Sequence, residues 1–221
     1  MIELFDKAVI NDSKNATAWL WRGITLIELG HFERAISNFE KCLVIDPGYL
    51  NCAQHLATAY LFWGKVDRAI EIFEESIESN FHSMDDIFVS HYLKNGQRVV
   101  AFLLGNTSIY GEHTPVQEWI EAIENPQQDQ SARIAVFQRW ADEQNISICN
   151  MNGLFVTLKL DHCYESASDG GLAMIWHADA AYFRNTAAFK EIINKNLMSY
   201  WRERGFPPQC RDLGDGDFEC V

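Results

Sequence analysis

No stretch of these 221 residues approaches the roughly 20 consecutive apolar side chains that a helix needs to cross a bilayer, so no membrane segment is expected. The acidic start Met1-Ile2-Glu3 lacks the basic lead-in of a secretory signal. Positive charge is scarce: 18 Lys and Arg stand against 31 Asp and Glu, a formal net charge of −13. The excess of acid is spread along the chain and no basic stripe forms, which argues against direct contact with nucleic acid or an anionic membrane. Also missing are a glycine-rich phosphate loop, a G-x-S-x-G elbow, an H-E-x-x-H zinc helix and a cyclase signature. No enzymatic activity and no cofactor are therefore expected. Hydrophobic residues make up 48% of the chain, ample for a core, and the expected location is cytoplasmic, with the periplasmic part of a membrane-anchored regulator as the alternative.

What is present is a repeat. Gly30 and Gly64, Ala35 and Ala69, Ile36 and Ile70, Phe39 and Phe73, and Glu40 and Glu74 are each 34 residues apart. Self-similarity at that period marks stacked helical hairpins, none of which can bury its apolar face without a neighbour. In the first full unit, Trp19, Gly23 and Leu26 share one face of a helix that Gly30 closes, and Ala35, Phe39 and Leu43 line a second helix that Asp46-Pro47 ends. Leu56, Tyr60, Gly64, Ala69, Phe73 and Ile77 repeat the scheme.

These residues at this spacing resemble the tetratricopeptide repeat. Arg22 stands before Gly23 where a leucine is usual, Ala53 where a tryptophan is, and Phe81 where a proline is. The fold class implied is all-α, a right-handed solenoid with a degenerate helical C-terminal half. Its divisions are a half unit at 1–13, units at 16–49 and 50–83, a degenerate unit at 84–104, and a region 105–221 packing on the solenoid. Met1, Phe5 and Ala8 fall in register with Ala35, Phe39 and Cys42, so the first residues read as the second helix of a preceding unit. That is either a natural cap or the continuation of a longer protein.

Beyond the repeats, Thr114-Pro115 opens a helix carrying Trp119 and Ile123, and Gln130 to Gln144 supplies another with Ile134, Phe137, Trp140 and Ala141 in one stripe. Met151 to Cys163 fits helix or strand and is assigned to helix from its neighbours. Asp169-Gly170-Gly171 is a turn, and Thr186 to Arg204 is a last long helix with Phe189, Ile193, Leu197 and Tyr200 on its buried side. From Phe183-Arg184 through Tyr200-Trp201-Arg202, Pro207-Pro208, Cys210 and Cys220, the tail resembles the end of the repeat-containing C-terminal regions of bacterial winged-helix transcriptional regulators and adenylate cyclases. The resemblance implies a sensory or interaction module whose output domain is absent from this sequence. Asn196 and Ala188 depart from that pattern.

Cys42 and Cys52 read as buried or lightly exposed thiols, and Cys149 and Cys163 say little alone. Cys210 and Cys220, separated by nine residues rich in Asp and Gly, are a candidate disulfide stapling the tail, with two reduced thiols as the equal alternative. His162, Cys163, His177, Cys210 and Cys220 lack the spacing of a structural zinc site, so no metal is expected. Asp212, Asp215 and Asp217 read as a solvated acidic turn rather than a calcium loop.

In such a solenoid the first helix of each pair lines the concave side. Thr17, Leu20, Ile24, Ile27 and Glu28, with Asn51, Gln54, Thr58, Leu61 and Phe62, should therefore face a common trough. Apolar walls with a few amides suit an amphipathic helix or an extended peptide. Leu20, Trp21, Ile24, Gln54, His55 and Thr58 stand where related repeats carry the cations and asparagines that clamp a chaperone's C-terminal carboxylate, so that ligand is disfavoured. The alternative is a trough filled by the chain's own C-terminal helices. The expected role is a non-enzymatic protein-binding module of a bacterial signalling or transcriptional regulator. A small-molecule sensory domain or a self-association module is the competing role, and a homodimer is compatible with the sequence.

Overall fold

The computed structural model describes residues 1–77, 91, 94–96, 115–150, 156, 158–166 and 171–221. Two compact units emerge: Met1–Phe81 joined by Ile175–Val221, and His82–Met174. This differs from the division expected at 104/105, because the last fifth of the chain returns to the repeats. The degenerate unit expected at 84–104 lies outside the described residues except at 91 and 94–96.

The first unit begins with five helices, α1 (Ile2–Asn11), α2 (Ala16–Glu28), α3 (Phe32–Ile45), α4 (Leu50–Phe62) and α5 (Val66–Ile77). Asn15 caps α2 by accepting a hydrogen bond from the Ala18 amide at 3.0 Å. The two repeats end their first helices identically. Gly30 and Gly64 have φ of +81° and +75°, and the amides of His31 and Lys65 return to the carbonyls of Leu26 and Tyr60, each at 2.8 Å. A left-handed residue there satisfies carbonyls that a helix end otherwise leaves open. At Gly23 a Cβ would overlap the Phe39 ring, so glycine is what lets α2 and α3 cross closely.

Arg22, an apparent defect in the repeat, has a structural role. Its Nε donates to Asp6 Oδ1 at 2.7 Å and its Nη1 to Asn38 Oδ1 at 3.0 Å, joining α2 to α1 and α3. Cys42 on α3 and Cys52 on α4 are disulfide-bonded, which corrects their reading as thiols. They face one another because the Asp46-Pro47 corner brings a small buried position of one repeat against the start of the next.

In the second unit, α6 (Val116–Glu124) and α7 (Ser131–Glu143) bury Trp119, Phe137, Trp140 and Ala141. Arg133 Nη2 on α7 meets Glu121 Oε2 on α6 at 3.3 Å. A 3-10 turn at Ile148–Asn150 carries Cys149, which is bonded to Cys163 on the short helix α8 (His162–Ser166); α9 (Gly171–Met174) follows. The helix expected over 151–163 falls partly on residues 151–155 and 157, outside the described set. Over 158–161 it is replaced by a turn, with Lys159 at φ +54° and Leu158 and Leu160 buried, so hydrophobic spacing there reflects a buried loop.

The returning segment of the first unit contains 3-10 turns at Ala178–Ala180 and Phe183–Asn185, helices α10 (Ala187–Asn196) and α11 (Met198–Arg204), and strands β1 (Cys210–Gly214) and β2 (Asp217–Cys220). Thr186 caps α10, its Oγ1 accepting from the Phe189 amide at 3.1 Å. The single helix expected over 186–204 is two helices broken at Leu197, whose φ of −119° lies off the helical value. Just before the break, the Asn196 side-chain amide donates to Ile192 O at 2.9 Å, a local bond of the kind that competes with helix continuation.

The helical-hairpin fold read from the 34-residue period is the observed one, with a single departure from all-α among the described residues. β1 and β2 pair antiparallel, Cys210 opposite Cys220 and Asp212 opposite Phe218. Gly214, Asp215 and Gly216, all at positive φ, make the exposed acidic turn of this hairpin. Phe218 and both cysteines point inward, and the Cys210–Cys220 disulfide closes the hairpin.

Candidate protein-interaction surface

The end of α2 is where the returning segment takes hold. Three successive carbonyls that the helix cannot satisfy itself, those of Glu28, Leu29 and Gly30, accept from Trp176 Nε1 at 3.1 Å, Trp201 Nε1 at 3.1 Å and Gln209 Nε2 at 2.9 Å. Around these donors the rings of Trp176, Phe189, Trp201, Phe206 and Phe218 pack edge-on or tilted, with centroids 5.4 to 6.4 Å apart. Arg184 Nη1 braces the entry to this core by donating to Ile175 O at 2.8 Å and His177 O at 3.0 Å. Lys190 pairs with Asp217, whose carboxyl is held below the usual range chiefly by that hydrogen bond. The nearest sequence signal for this clasp was the aromatic richness of 176–218; which carbonyls it would cap had no local signature.

The ten residues expected to line a trough divide sharply. On α2, Thr17 is exposed and Ile24 and Glu28 are half-buried, whereas Leu20 and Ile27 are buried. Trp21, beside them, is 50% exposed. On α4, Asn51 is half-buried, but Gln54 and Thr58 are each only 1% exposed and Leu61 and Phe62 are buried. The Phe62 ring meets the His177 ring edge-on at 5.9 Å, so part of the α4 face is covered by the returning segment. What stays accessible is a stripe on α2: Thr17, Trp21, Ile24 and Glu28, successive by three or four residues and hence on one face. Thr17 Oγ1 lies 3.2 Å from the Tyr49 hydroxyl, which sets one end of that stripe.

Two histidines are embedded in the repeat unit. His55 stacks on Phe39 at 5.8 Å, and burial lowers its pKa to about 4. His31, edge-on to Tyr200 at 5.9 Å, is likewise lowered to about 4 by burial and then by the Arg34 charge. Both stay neutral in the folded state to lower pH than in the unfolded chain, whose histidines titrate near 6.5. The unfolded state therefore binds more protons across that interval, and stability falls as pH drops from about 6.5 toward 4. Urea midpoints at pH 7, 5.5 and 4.5 should show the decline, and His55→Gln should flatten it. A midpoint that rises on acidification, or a decline identical in the variant, contradicts this assignment.

Among the described residues, one group offers three metal-type donors: Cys149, His162 and Cys163, their ligand atoms within 4.8 Å of one another. Because the two sulfurs are bonded to each other, they are not thiolates, and the group as it stands does not suit a metal. No helix among the described residues is long and apolar enough to cross a membrane.

Comparison with known proteins agrees with the geometry of the repeats. Residues 16–49 and 51–82 each match a family model described as tetratricopeptide repeat. Superkiller complex protein 3 of Homo sapiens is 32% identical over 71 residues, which is 32% of this chain and 4% of that protein, so the chain spans only a small fraction of that relative's length. No solved structure shows a significant match.

Proposed function

We propose, on the premise of two tetratricopeptide repeats in register, that this chain is a non-catalytic protein-interaction module that holds an amphipathic helix or extended peptide along α2. The observation that carries the reading is the stripe Thr17, Trp21, Ile24 and Glu28, none of them buried and centred on a half-exposed indole. A tryptophan on a rigid helix is a common energetic anchor of interfaces, because it buries a large area at little cost in conformational entropy. With Gln54, Thr58, Leu61 and Phe62 buried, the partner lies on the α2 side of the expected trough and reaches α4 at Asn51.

The resemblance of the Phe183 to Cys220 tail to bacterial regulators supports placing the module in a signalling or transcriptional regulator. The relative named superkiller complex protein 3 is, by its name, part of a complex, which supports a role in assembly. All six cysteines are paired, which favours the oxidising periplasmic setting over the cytoplasm. Protein isolated under an alkylating agent should accordingly carry no alkylated cysteine.

Selection from a displayed peptide library tests the interaction reading. Enriched peptides should carry apolar anchors at helical or alternating spacing, and Trp21→Ala should weaken them at least about thirtyfold while far-ultraviolet circular dichroism and the urea midpoint stay unchanged. Peptides that bind the variant as tightly as the parent would remove the α2 stripe, and a selection without enrichment would count against the module itself.

A further inference from the structure

The three disulfides differ in reach. Cys42, Cys52, Cys163, Cys210 and Cys220 are buried; Cys149 alone is not. Thiol–disulfide exchange needs an attacking thiolate to approach one sulfur of the bridge from outside, while the other sulfur departs with the electron pair. Both sulfurs of the Cys42–Cys52 and Cys210–Cys220 bridges belong to buried residues. In the Cys149–Cys163 bridge Cys149 is the half-buried residue and Cys163 the buried one, so approach from solvent is at Cys149 and Cys163 is the leaving group.

The leaving sulfur has a neighbour suited to receive it. His162 Nε2 lies 3.6 Å from Cys163 Sγ, within hydrogen-bonding range for sulfur, and the His162 side chain is exposed to solvent. As an N–H donor it stabilises negative charge developing on Cys163 as the bond breaks, and a better-stabilised leaving thiolate departs faster.

We propose that the Cys149–Cys163 bridge is a thiol-exchange site for small-molecule thiols, attacked at Cys149 and released at Cys163 with the help of His162. The external thiolate forms a new S–S bond to Cys149 Sγ, the Cys149–Cys163 bond breaks, and its electron pair leaves with Cys163, whose thiolate accepts the His162 hydrogen bond and takes its proton from water. The incoming sulfur is thereby oxidised to the disulfide level and Cys163 reduced. A second thiol molecule of the same kind attacks the mixed disulfide, releasing the Cys149 thiol and a disulfide of two small thiols. The oxidised small-molecule disulfide drives the same steps backward.

The probe is reduced glutathione added to the full chain without denaturant, with acid quenching, alkylation of new thiols and peptide mass mapping over time. Glutathione should appear on Cys149 and the first alkylatable thiol on Cys163, while the other two bridges are still closed. His162→Ala should slow the exchange roughly tenfold, the loss of one charge-assisted hydrogen bond, and His162→Lys should restore part of the rate. His162 is exposed, so these variants keep the fold, which the unchanged closure of the other two bridges verifies. Glutathione on Cys163, three bridges opening at one common rate, or an unaltered rate in His162→Ala would each overturn the proposal.

Discussion

Trp201→Ala is expected to cost the repeat-containing unit about 3–5 kcal/mol of unfolding free energy, the range for deleting a large, fully enclosed aromatic. Trp201 is completely buried, and its ring centroid lies 6.1 Å from Trp176, 5.4 Å from Phe206 and 5.7 Å from Phe218. Its removal opens a cavity in the aromatic core of the returning segment. It also leaves the Leu29 carbonyl at the end of α2 without the indole donor at 3.1 Å. The two contributions separate experimentally. Trp201→Phe keeps most of the ring volume and drops the donor, so its cost should be the smaller one of an unsatisfied buried acceptor, about 1–3 kcal/mol. Urea unfolding followed by near-ultraviolet circular dichroism measures both. A midpoint for Trp201→Ala indistinguishable from the parent would mean that the tail does not hold the repeats together.

The second large effect comes from comparing two glycines that the repeat places 34 residues apart. Gly30→Ala and Gly64→Ala both force an alanine to positive φ, +81° and +75°, at a backbone cost of about 1–2 kcal/mol each. Their surroundings differ. At Gly30 a Cβ would stand 2.7 Å from Gln209 Nε2, 2.9 Å from Trp176 Cζ2 and 3.1 Å from Pro207 Cβ, whereas at Gly64 nothing lies within 4 Å. The first substitution must therefore push the clasp off the α2 terminus, adding about 1–3 kcal/mol of overpacking to the backbone term. Gly30→Ala should be clearly the more destabilised of the two by urea titration. Equal costs would place the whole effect in the backbone and none in the docking of residues 175–221.

The same pair of glycines shows where local reading stops. Gly30 and Gly64 were legible as helix ends because the left-handed conformation is a property of the residue and its two or three neighbours. That Gly30 sits beneath Trp176, Pro207 and Gln209 while Gly64 is open depends on residues 146 to 179 positions away. The trough residues tell a similar story. The shared face of Thr17, Trp21, Ile24 and Glu28 follows from helical spacing, but the burial of Gln54 and Thr58 and the exposure of Trp21 were set by what else packs nearby. Arg22 looked like drift in a degenerate pattern and is instead held between Asp6 and Asn38. The Cys42–Cys52 bridge does have a local signal, since both residues flank the Asp46-Pro47 corner where one repeat hands over to the next.

Sequence alone therefore determined the repeated element: a 34-residue helical hairpin whose first helix ends on glycine, because it depends on contacts within one period and is written twice, with the close crossing at Gly23 and the Asp46-Pro47 corner written in the first copy. Only the tertiary structure decided that the tail folds into two short helices and a disulfide-closed hairpin, that its indoles and Gln209 cap the first repeat, and that the accessible stripe runs along α2. Those outcomes are set by long-range packing and by hydrogen bonds to backbone carbonyls. Every residue carries such a carbonyl, so no residue type advertises which one will be capped.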